Sequence, residues 1–183
     1  AITKLLMRSR EGTHRVKEIV QNLRAFSRMD QAELQDADLH EELDRTLGLM
    51  ENRFKEGVTV VRNYGDLPQV RCYPGQLNQV FLNLLMNACD AMNCRGSVEI
   101  TTRRITDGVR LEFRDDGPGV PPELLNRLFD PFFTTKEVGK GTGLGLSLSH
   151  GIIERHGGRI WVAADVGMGA CFRFSLGANA RAN

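Results

Sequence analysis

The sequence predicts an α+β fold: a two-layer sandwich, with helices on one face of a mixed β-sheet, preceded by a long N-terminal helix. Strand patterns alternate with helix patterns along the chain, and two pairs of strands are predicted to form hairpins. No strand–helix–strand unit repeats, which disfavours a purely parallel sheet. Of the 183 residues, 41% are apolar, enough for the core of one domain with an appendage.

The composition argues against several classes of function. The formal net charge of +1 gives no overall field that would attract nucleic acid or an acidic membrane surface. No apolar run approaches the ~20 residues of a membrane span and no signal peptide is recognisable, so we expect a cytoplasmic domain, whether or not its parent protein is anchored in a membrane. Without a CxxC motif or metal-ligand spacing, we expect four reduced cysteines that pack as small apolar side chains: Cys72, Cys89, Cys94 and Cys171.

Residues 1–30 carry apolar side chains three and four positions apart, as in Ile19, Leu23 and Phe26. This spacing predicts one long amphipathic helix of a bundle or coiled coil, with a solvated connector as the alternative. Because the chain starts within this pattern, we interpret it as a fragment of a longer protein. The polar, acidic residues 31–38 predict a linker.

Residues 39–177 predict one domain, followed by a disordered tail at 178–183. Alternating apolar and polar residues around Asp107-Gly108 are a strong hairpin signal, and a second hairpin closes the domain. The predicted order is helix 39–55, strand 58–64, short strand 69–72, helix 74–92, hairpin 97–115, a short helix after Pro122, an irregular segment to Gly143, helix 144–156 and hairpin 158–176.

A pair of asparagines stands in "NQVFLNLLMNACDAM". Asn83 and Asn87 are four residues apart, so both amides lie on one face of the predicted helix. An amide oxygen can ligate a hard cation, and amide N–H groups can bind phosphate. On its own, such a pair is more often a surface or capping feature.

In "FRDDGPGVPPE", a predicted strand ends at Asp115 and Asp116 and is followed by Gly117 and Gly119. One interpretation is an ordinary turn. The other is that Asp115 points its carboxylate into a pocket and accepts a hydrogen bond from an exocyclic amine, while the two glycines let the plane of the ligand come close.

The segment "RLFDPFFTTKEVGKGTGLG" begins with three phenylalanines and continues with Gly, Thr and Lys without an apolar period. We interpret it as a hydrophobic anchor, Phe129, Phe132 and Phe133, followed by a mobile lid; an apolar plug under a passive loop is the alternative. Glycines occupy positions 139, 141, 143 and 145, directly before a predicted helix. There they let backbone N–H groups converge on an anion such as phosphate, whereas a merely flexible loop is the alternative.

Together and in this order, the motifs resemble the ATP-binding catalytic domain of sensor histidine kinases. These kinases belong to the GHKL superfamily, with gyrase B, Hsp-type chaperones and mismatch-repair ATPases. The resemblance covers about residues 37–177, and residues 1–29 are similar to the second helix of the kinases' dimerisation and phosphoacceptor hairpin. It implies the GHKL two-layer fold, ATP and Mg²⁺ as ligands, and a homodimer through the hairpin of the full-length protein. It also implies relay of the phosphoryl group to a response-regulator receiver domain, with no nucleic acid as partner.

The resemblance also implies site residues. Asn87 would ligate Mg²⁺, with Asn83 assisting at the metal or the phosphates. Asp115 would receive the adenine amine in a pocket shaped by Gly117 and Gly119. Lysines would serve as charge partners of the phosphates, glycines would wrap them, and a leucine would start the supporting helix: Lys136, Lys140, Gly141, Thr142, Gly143, Leu144 and Gly145.

One position favours a kinase over a hydrolase. The ATP-hydrolysing relatives have a water-activating glutamate where this sequence has Asn83. An amide cannot accept a proton at neutral pH, so transfer of the γ-phosphoryl group to a nucleophile from another segment is favoured. A non-catalytic nucleotide-binding signalling module and a gyrase- or chaperone-like ATPase stay as alternatives.

No histidine of the chain carries the family's full phosphoacceptor pattern, which is His followed by an acidic residue, with Asn or Thr four positions on. His40 begins "HEELDR", but Asp44 occupies the Asn/Thr position. We therefore expect an acceptor upstream, no catalytic residue here beyond those that position the nucleotide, and no self-phosphorylation at any of the four: His14, His40, His150 and His156.

Overall fold

The structure, a computed structural model, describes residues 33–55, 57–136, 141–164 and 169–177. The helix predicted for 1–30 and the tail predicted for 178–183 lie outside the described residues, so both stay predictions. Within these ranges, no helix has the length and apolar character needed to cross a bilayer.

Part of the predicted linker forms a strand. Strand β1 (Gln35–Ala37) pairs antiparallel with β3 (Val70–Cys72) in a small separate sheet. An ion pair between Arg71 Nη1 and Asp36 Oδ2, 3.3 Å long, joins the two strands. The sequence did not reveal β1 because two of its three side chains are exposed and polar.

In the described part of the chain, three α-helices carry apolar stripes of three- and four-residue spacing: α1 (Leu39–Phe54), α2 (Pro74–Ala91) and α3 (Gly145–Arg155). The Asp38 side chain caps α1 by accepting a hydrogen bond from the His40 N–H at 2.8 Å. Pro74 opens α2, where a missing N–H leaves no helical bond unmade. A 3₁₀-helix, Pro122–Arg127, stands where the short helix was predicted.

Among the described residues, the main sheet has five strands: β2 (Val58–Tyr64), β4 (Gly96–Ile105), β5 (Gly108–Asp115), β6 (Arg159–Ala164) and β7 (Ala170–Gly177). Their order in the sheet is β2-β4-β5-β7-β6. Strand β2 runs parallel to β4, and the other three pairings are antiparallel, so the sheet is mixed as predicted. Both predicted hairpins form, β4 with β5 and β6 with β7.

Three stacked phenylalanines join α2 to the sheet. The ring of Phe81 on α2 lies 6.0 Å from that of Phe113 on β5 and 6.2 Å from that of Phe174 on β7, between centroids. All three side chains are buried. This packing fixes α2 against the sheet and confirms the predicted two-layer α+β fold.

The expectation of four reduced cysteines is wrong for two of them. Cys89 and Cys94 form a disulfide, with Cα atoms 4.3 Å apart, while Cys72 and Cys171 are free and buried. Cys89 lies near the end of α2, and Cys94 lies in the turn that folds back onto it: the Cys94 N–H donates to the Cys89 carbonyl at 2.6 Å. Only this tight reversal brings the two sulfurs together, and no sequence motif announced it.

Candidate functional site

A cavity of about 490 Å³ lies between α2, α3 and the ends of β5 and β7. Its size suits a small-molecule ligand. Most of the predicted site residues line it: Asn83, Asn87, Asp115, Gly119, Lys136, Gly141, Thr142, Gly143 and Gly145. Gly117 and Leu144 stand beside it without lining it, and Lys140 lies outside the described residues.

At one end of the cavity, Asp115 ends β5 with a side chain that is only 4% exposed. Its Oδ1 accepts hydrogen bonds from the backbone N–H groups of Gly117 at 3.0 Å and Ala170 at 3.2 Å. Among the described residues nothing donates to Oδ2, so this oxygen is available to a ligand in the cavity. Burial raises the pKa of Asp115, although the two N–H donors act in the opposite direction.

Glycines bring two chain segments against Asp115. A Cβ on Gly117 would lie 2.9 Å from Asp115 Oδ1, so only glycine lets the chain turn back onto the carboxylate. Gly119 and Gly169, at φ +78° and φ +81°, face each other beside the same strand end. Gly117 therefore shapes the site from behind, and Gly169 is a supporting residue that the sequence analysis missed.

The side-chain amides of Asn83 and Asn87 differ in their contacts. The Asn83 amide joins two helices: its Nδ2 donates to the Gly145 carbonyl at 3.0 Å and to Ser149 Oγ at 3.2 Å, and its Oδ1 accepts from Gln79 at 3.0 Å. The half-buried Asn87 makes no hydrogen bond to any described residue, so its amide oxygen is free to ligate. Asn83 therefore joins α2 to α3, whereas the Asn87 amide faces the cavity.

The amino terminus of α3 opens on the cavity at Gly145. No side chain of the described residues caps this helix, so its first N–H groups are available to an anion. Gly143 has a different reason to be glycine: at φ +66°, its Cβ would lie 2.7 Å from the Phe133 carbonyl oxygen. The Phe132 N–H also donates to the Gly143 carbonyl at 3.0 Å, which ties the phenylalanine segment to the loop.

Lys136 has a partner that the sequence analysis missed. Its ammonium lies 2.5 Å from Asp90 Oδ2, and Arg53 on α1 donates to Asp90 Oδ1 at 2.5 Å. Asp90 and Gln79 line the cavity on the same face of α2 as the asparagines. A signal existed, because Gln79 and Asp90 continue the helical spacing of Asn83 and Asn87 by four and three residues.

Apolar side chains complete the lining. Phe133 belongs to the predicted hydrophobic anchor, whereas neither motif nor spacing identified the others as site residues: Leu82, Met86, Ala91, Val120, Leu128, Leu146 and Phe172. They come from separate segments that only the tertiary fold brings together. Such surfaces suit the faces of a planar ring.

The three described histidines lie outside the cavity lining. His40 stacks on Tyr64 at 4.4 Å between ring centroids, and its Nε2 bonds Thr102 Oγ1 at 2.8 Å. His150 pairs with Glu154 at 3.3 Å. The buried His156 accepts from the Tyr73 N–H, so the proton of its neutral ring is on Nδ1, which bonds the Ile152 carbonyl. His14 is not among the described residues.

The site and fold define an ATPase-type class. The family model described as histidine kinase-, DNA gyrase B-, and HSP90-like ATPase matches residues 72–180, and the chain belongs to this family. Two curated relatives narrow the class. Sensor kinase CckA of Brucella abortus is 36% identical over 187 residues, 93% of this chain and 20% of that protein. Sensor histidine kinase ZraS of Escherichia coli is 34% identical over 167 residues, 90% of this chain and 36% of that protein.

Solved structures of histidine kinases are also similar to this chain. The nucleotide-free catalytic domain of histidine kinase ThkA matches with a TM-score of 0.75 at 30% identity, over 82% of this chain and 99% of that one. Full-length ShkA in complex with AMPPNP matches with a TM-score of 0.79 at 30% identity, over 91% of this chain and 36% of that one. The resemblance to the histidine kinase catalytic domain and its GHKL fold is therefore confirmed. The chain spans 20% and 36% of the lengths of CckA and ZraS, so it matches one part of each.

Proposed function

We propose that this chain is the catalytic region of a sensor histidine kinase, which binds Mg²⁺–ATP and transfers the γ-phosphoryl group to a histidine on a helical hairpin. The observation that carries the proposal is that, among the described cavity residues, no free general base stands beside Asn83 and Asn87. Asn83 cannot accept a proton, and its amide is held between α2 and α3.

Neither of the two carboxylates among the described cavity residues is a free base beside the asparagines. Asp90 is paired with two cations, and Asp115, whose Oδ2 is open to the cavity, lies at its other end, where β5 ends. A site without a base activates water poorly, whereas it can hold a nucleotide in line with a nucleophile from another segment. Positioning and charge stabilisation dominate phosphoryl transfer, so such a site suits a kinase.

The residues present fit the base of ATP. The open oxygen of Asp115 would accept from the exocyclic amine of adenine, between apolar surfaces such as Met86 and Phe172. Guanine has a carbonyl in place of that amine and would set an acceptor against the carboxylate. Asp115 therefore selects ATP over GTP.

The residues at the other end fit the phosphates and a divalent cation. The Asn87 amide oxygen is a ligand of the kind that Mg²⁺ accepts, and few protein ligands are needed because Mg²⁺ keeps several waters. Bound there, Mg²⁺ would neutralise charge on the phosphate oxygens. The uncapped N–H groups at Gly145 would bind phosphate oxygens directly, and Asn83 would hold that helix end in place.

The partners follow from the same proposal. We infer a cytoplasmic location, a homodimer formed through the helical hairpin, and a response-regulator receiver domain as the final acceptor. In support, the histidine kinase ThkA in complex with response regulator protein TrrA matches this chain with a TM-score of 0.78 at 26% identity, over 94% of this chain and 50% of that one.

Transfer can be tested directly. The chain is incubated with ATP radiolabelled at the γ-phosphate, alone and with a separately produced phosphoacceptor hairpin of the parent protein. We expect no label on the chain alone and acid-labile, base-stable label on the hairpin, formed slowly because the acceptor is not tethered.

Two results would overturn the proposal. Steady phosphate release without any hairpin, at a rate that the hairpin leaves unchanged, would make the chain an ATPase. Nucleotide binding with label on neither component would make it a non-catalytic signalling module. Base-stable label on the chain itself, lost in His40→Ala, would instead move the acceptor to His40.

A further inference from the structure

The Asp90 carboxylate lies between two cations of different origin. Arg53 comes from α1 and contacts both Asp90 and, at 3.3 Å, the sulfur of Met86. Lys136 comes from the segment after the phenylalanines, at the edge of the described part of the lid. Arg53 is thus part of the helix layer, whereas Lys136 belongs to the segment that was predicted to be a mobile lid and to supply a charge partner of the phosphates.

The position of Asp90 makes this pairing consequential. Asp90 follows Asn87 by three residues on α2, so both side chains lie on one face of the helix and both line the cavity. A carboxylate near a polyphosphate repels it unless a cation neutralises the carboxylate. Lys136 cannot neutralise Asp90 and bind a phosphate at full strength at the same time.

We propose that Asp90 is a positioning residue for Lys136. It holds the ammonium at the phosphate end of the cavity in the nucleotide-free protein and releases it to the terminal phosphate of ATP. Arg53 stays with Asp90 as its counter-ion after the exchange. This inference rests on the proposed function for the identity of the ligand, whereas the Asp90–Lys136 contact itself can be tested without any ligand.

Lysine footprinting tests the contact in the nucleotide-free protein. An amine-reactive ester acetylates lysines, and mass spectrometry follows Lys136 with the exposed Lys55 as internal reference. We expect Lys136 to react several-fold faster in Asp90→Asn than in the wild type, because the contact with the Asp90 carboxylate holds the amine away from the reagent. Glu123→Gln, which removes an exposed negative charge elsewhere, should leave the rate unchanged. Equal Lys136 rates in Asp90→Asn and wild type would overturn the proposal, whatever the protein binds.

Calorimetry tests the exchange. We expect Asp90→Asn to bind ATP about two- to five-fold more tightly, as for the loss of a competing, partly exposed ion pair, with adenosine affinity unchanged. Arg53→Gln should weaken ATP binding. Without Arg53, Asp90 loses the counter-ion that would stay with it, so Asp90 releases Lys136 to the phosphate less readily.

A double-mutant cycle identifies Lys136 as the group that moves. Lys136→Met should bind ATP several-fold more weakly than the wild type, and adding Asp90→Asn to it should restore nothing. A gain that persists without Lys136 would mean simple repulsion and contradict the proposal. Weaker ATP binding by Asp90→Asn would make Asp90 a metal ligand and contradict it too. Failure of every protein to bind ATP would count against the proposed function, and footprinting would still decide on the Asp90–Lys136 contact.

Discussion

The two ends of the cavity are built in different ways. At the Asp115 end, a buried carboxylate is fixed by two backbone N–H groups at the end of a strand, with glycines packed around it. At the Asn87 end, polar side chains face the cavity, and one of them, Lys136, is already paired with Asp90. Under the proposed function, base recognition would be preformed, whereas phosphate binding would require an exchange of partners.

The largest effect is expected at the phosphate end. Asn87→Ala should weaken Mg²⁺–ATP binding at least about 100-fold, because it removes the amide oxygen that we assign to the cation and leaves the neighbouring core unchanged. Isothermal titration calorimetry measures the affinity, and circular dichroism checks the fold.

Adenosine is the control for Asn87→Ala, since it lacks phosphates and should bind this variant as it binds the wild type. Wild-type affinity for Mg²⁺–ATP in a folded Asn87→Ala protein would remove Asn87 from the phosphate end.

The next effect is at the base end. Asp115→Asn should weaken both ATP and adenosine, because the amide can present N–H to the exocyclic amine. One uncompensated buried polar contact costs about 1–3 kcal/mol, or roughly 5- to 150-fold in affinity. Calorimetric titrations with ATP and with adenosine measure both affinities. A loss of affinity for ATP alone would contradict the assignment of Asp115 to the end of the cavity that binds the base.

Although Asp115→Asn should bind its ligands more weakly, it should not lower the stability of the fold at neutral pH. Because the pKa of Asp115 is raised in the folded protein, the folded state holds a proton that the unfolded state has already lost above pH 3.8. The contribution of Asp115 to stability is therefore present below pH 3.8 and is lost as the pH rises through its folded-state pKa. At pH 7, Asp115→Asn should unfold at a urea concentration no lower than the wild type.

The Cys89–Cys94 disulfide, at the end of α2, should have a smaller effect, and this effect is on the free energy of unfolding. It joins positions five residues apart, and closing so short a loop stabilises by about 2 kcal/mol in the chain-entropy account. Cys94→Ser should lower the free energy of unfolding by about that amount, as measured by urea denaturation. Cys171→Ser is the comparison, because the Cys171 thiol is free. Any change that this substitution makes to the free energy of unfolding should be the same with and without reductant.

The smallest effect is expected at His156, away from both ends. Burial lowers the pKa of His156 from its ordinary 6.5, so its neutral form stabilises the fold fully above pH 6.5 and less as the pH falls below it. The wild type should lose stability to urea between pH 7 and pH 5, and His156→Gln should lose less over the same range. Parallel losses in the two proteins would remove His156 as the cause.

The sequence predicted what local patterns encode. Helix stripes, hairpin turns and the polar motifs gave the element order and most of the cavity's polar lining. It could not predict features that depend on chain reversal or on distant contacts. The Cys89–Cys94 bridge depends on the turn after α2. Gly143 is glycine because its φ is positive and the backbone of Phe132 and Phe133 lies against it. Asp90 was missed although it continues the Asn83–Asn87 spacing, because its role appears only with Arg53 and Lys136 in place.

One calorimetric series tests the central claim most directly, that one end of the cavity reads the base and the other reads Mg²⁺ and the phosphates. The wild-type chain is titrated with adenosine, ATP and GTP, each with and without Mg²⁺. We predict adenosine binding that ignores Mg²⁺, ATP binding that strengthens with Mg²⁺, and GTP binding at least several-fold weaker than ATP binding. Equal affinities for ATP and GTP, or ATP binding that ignores Mg²⁺, would contradict the account.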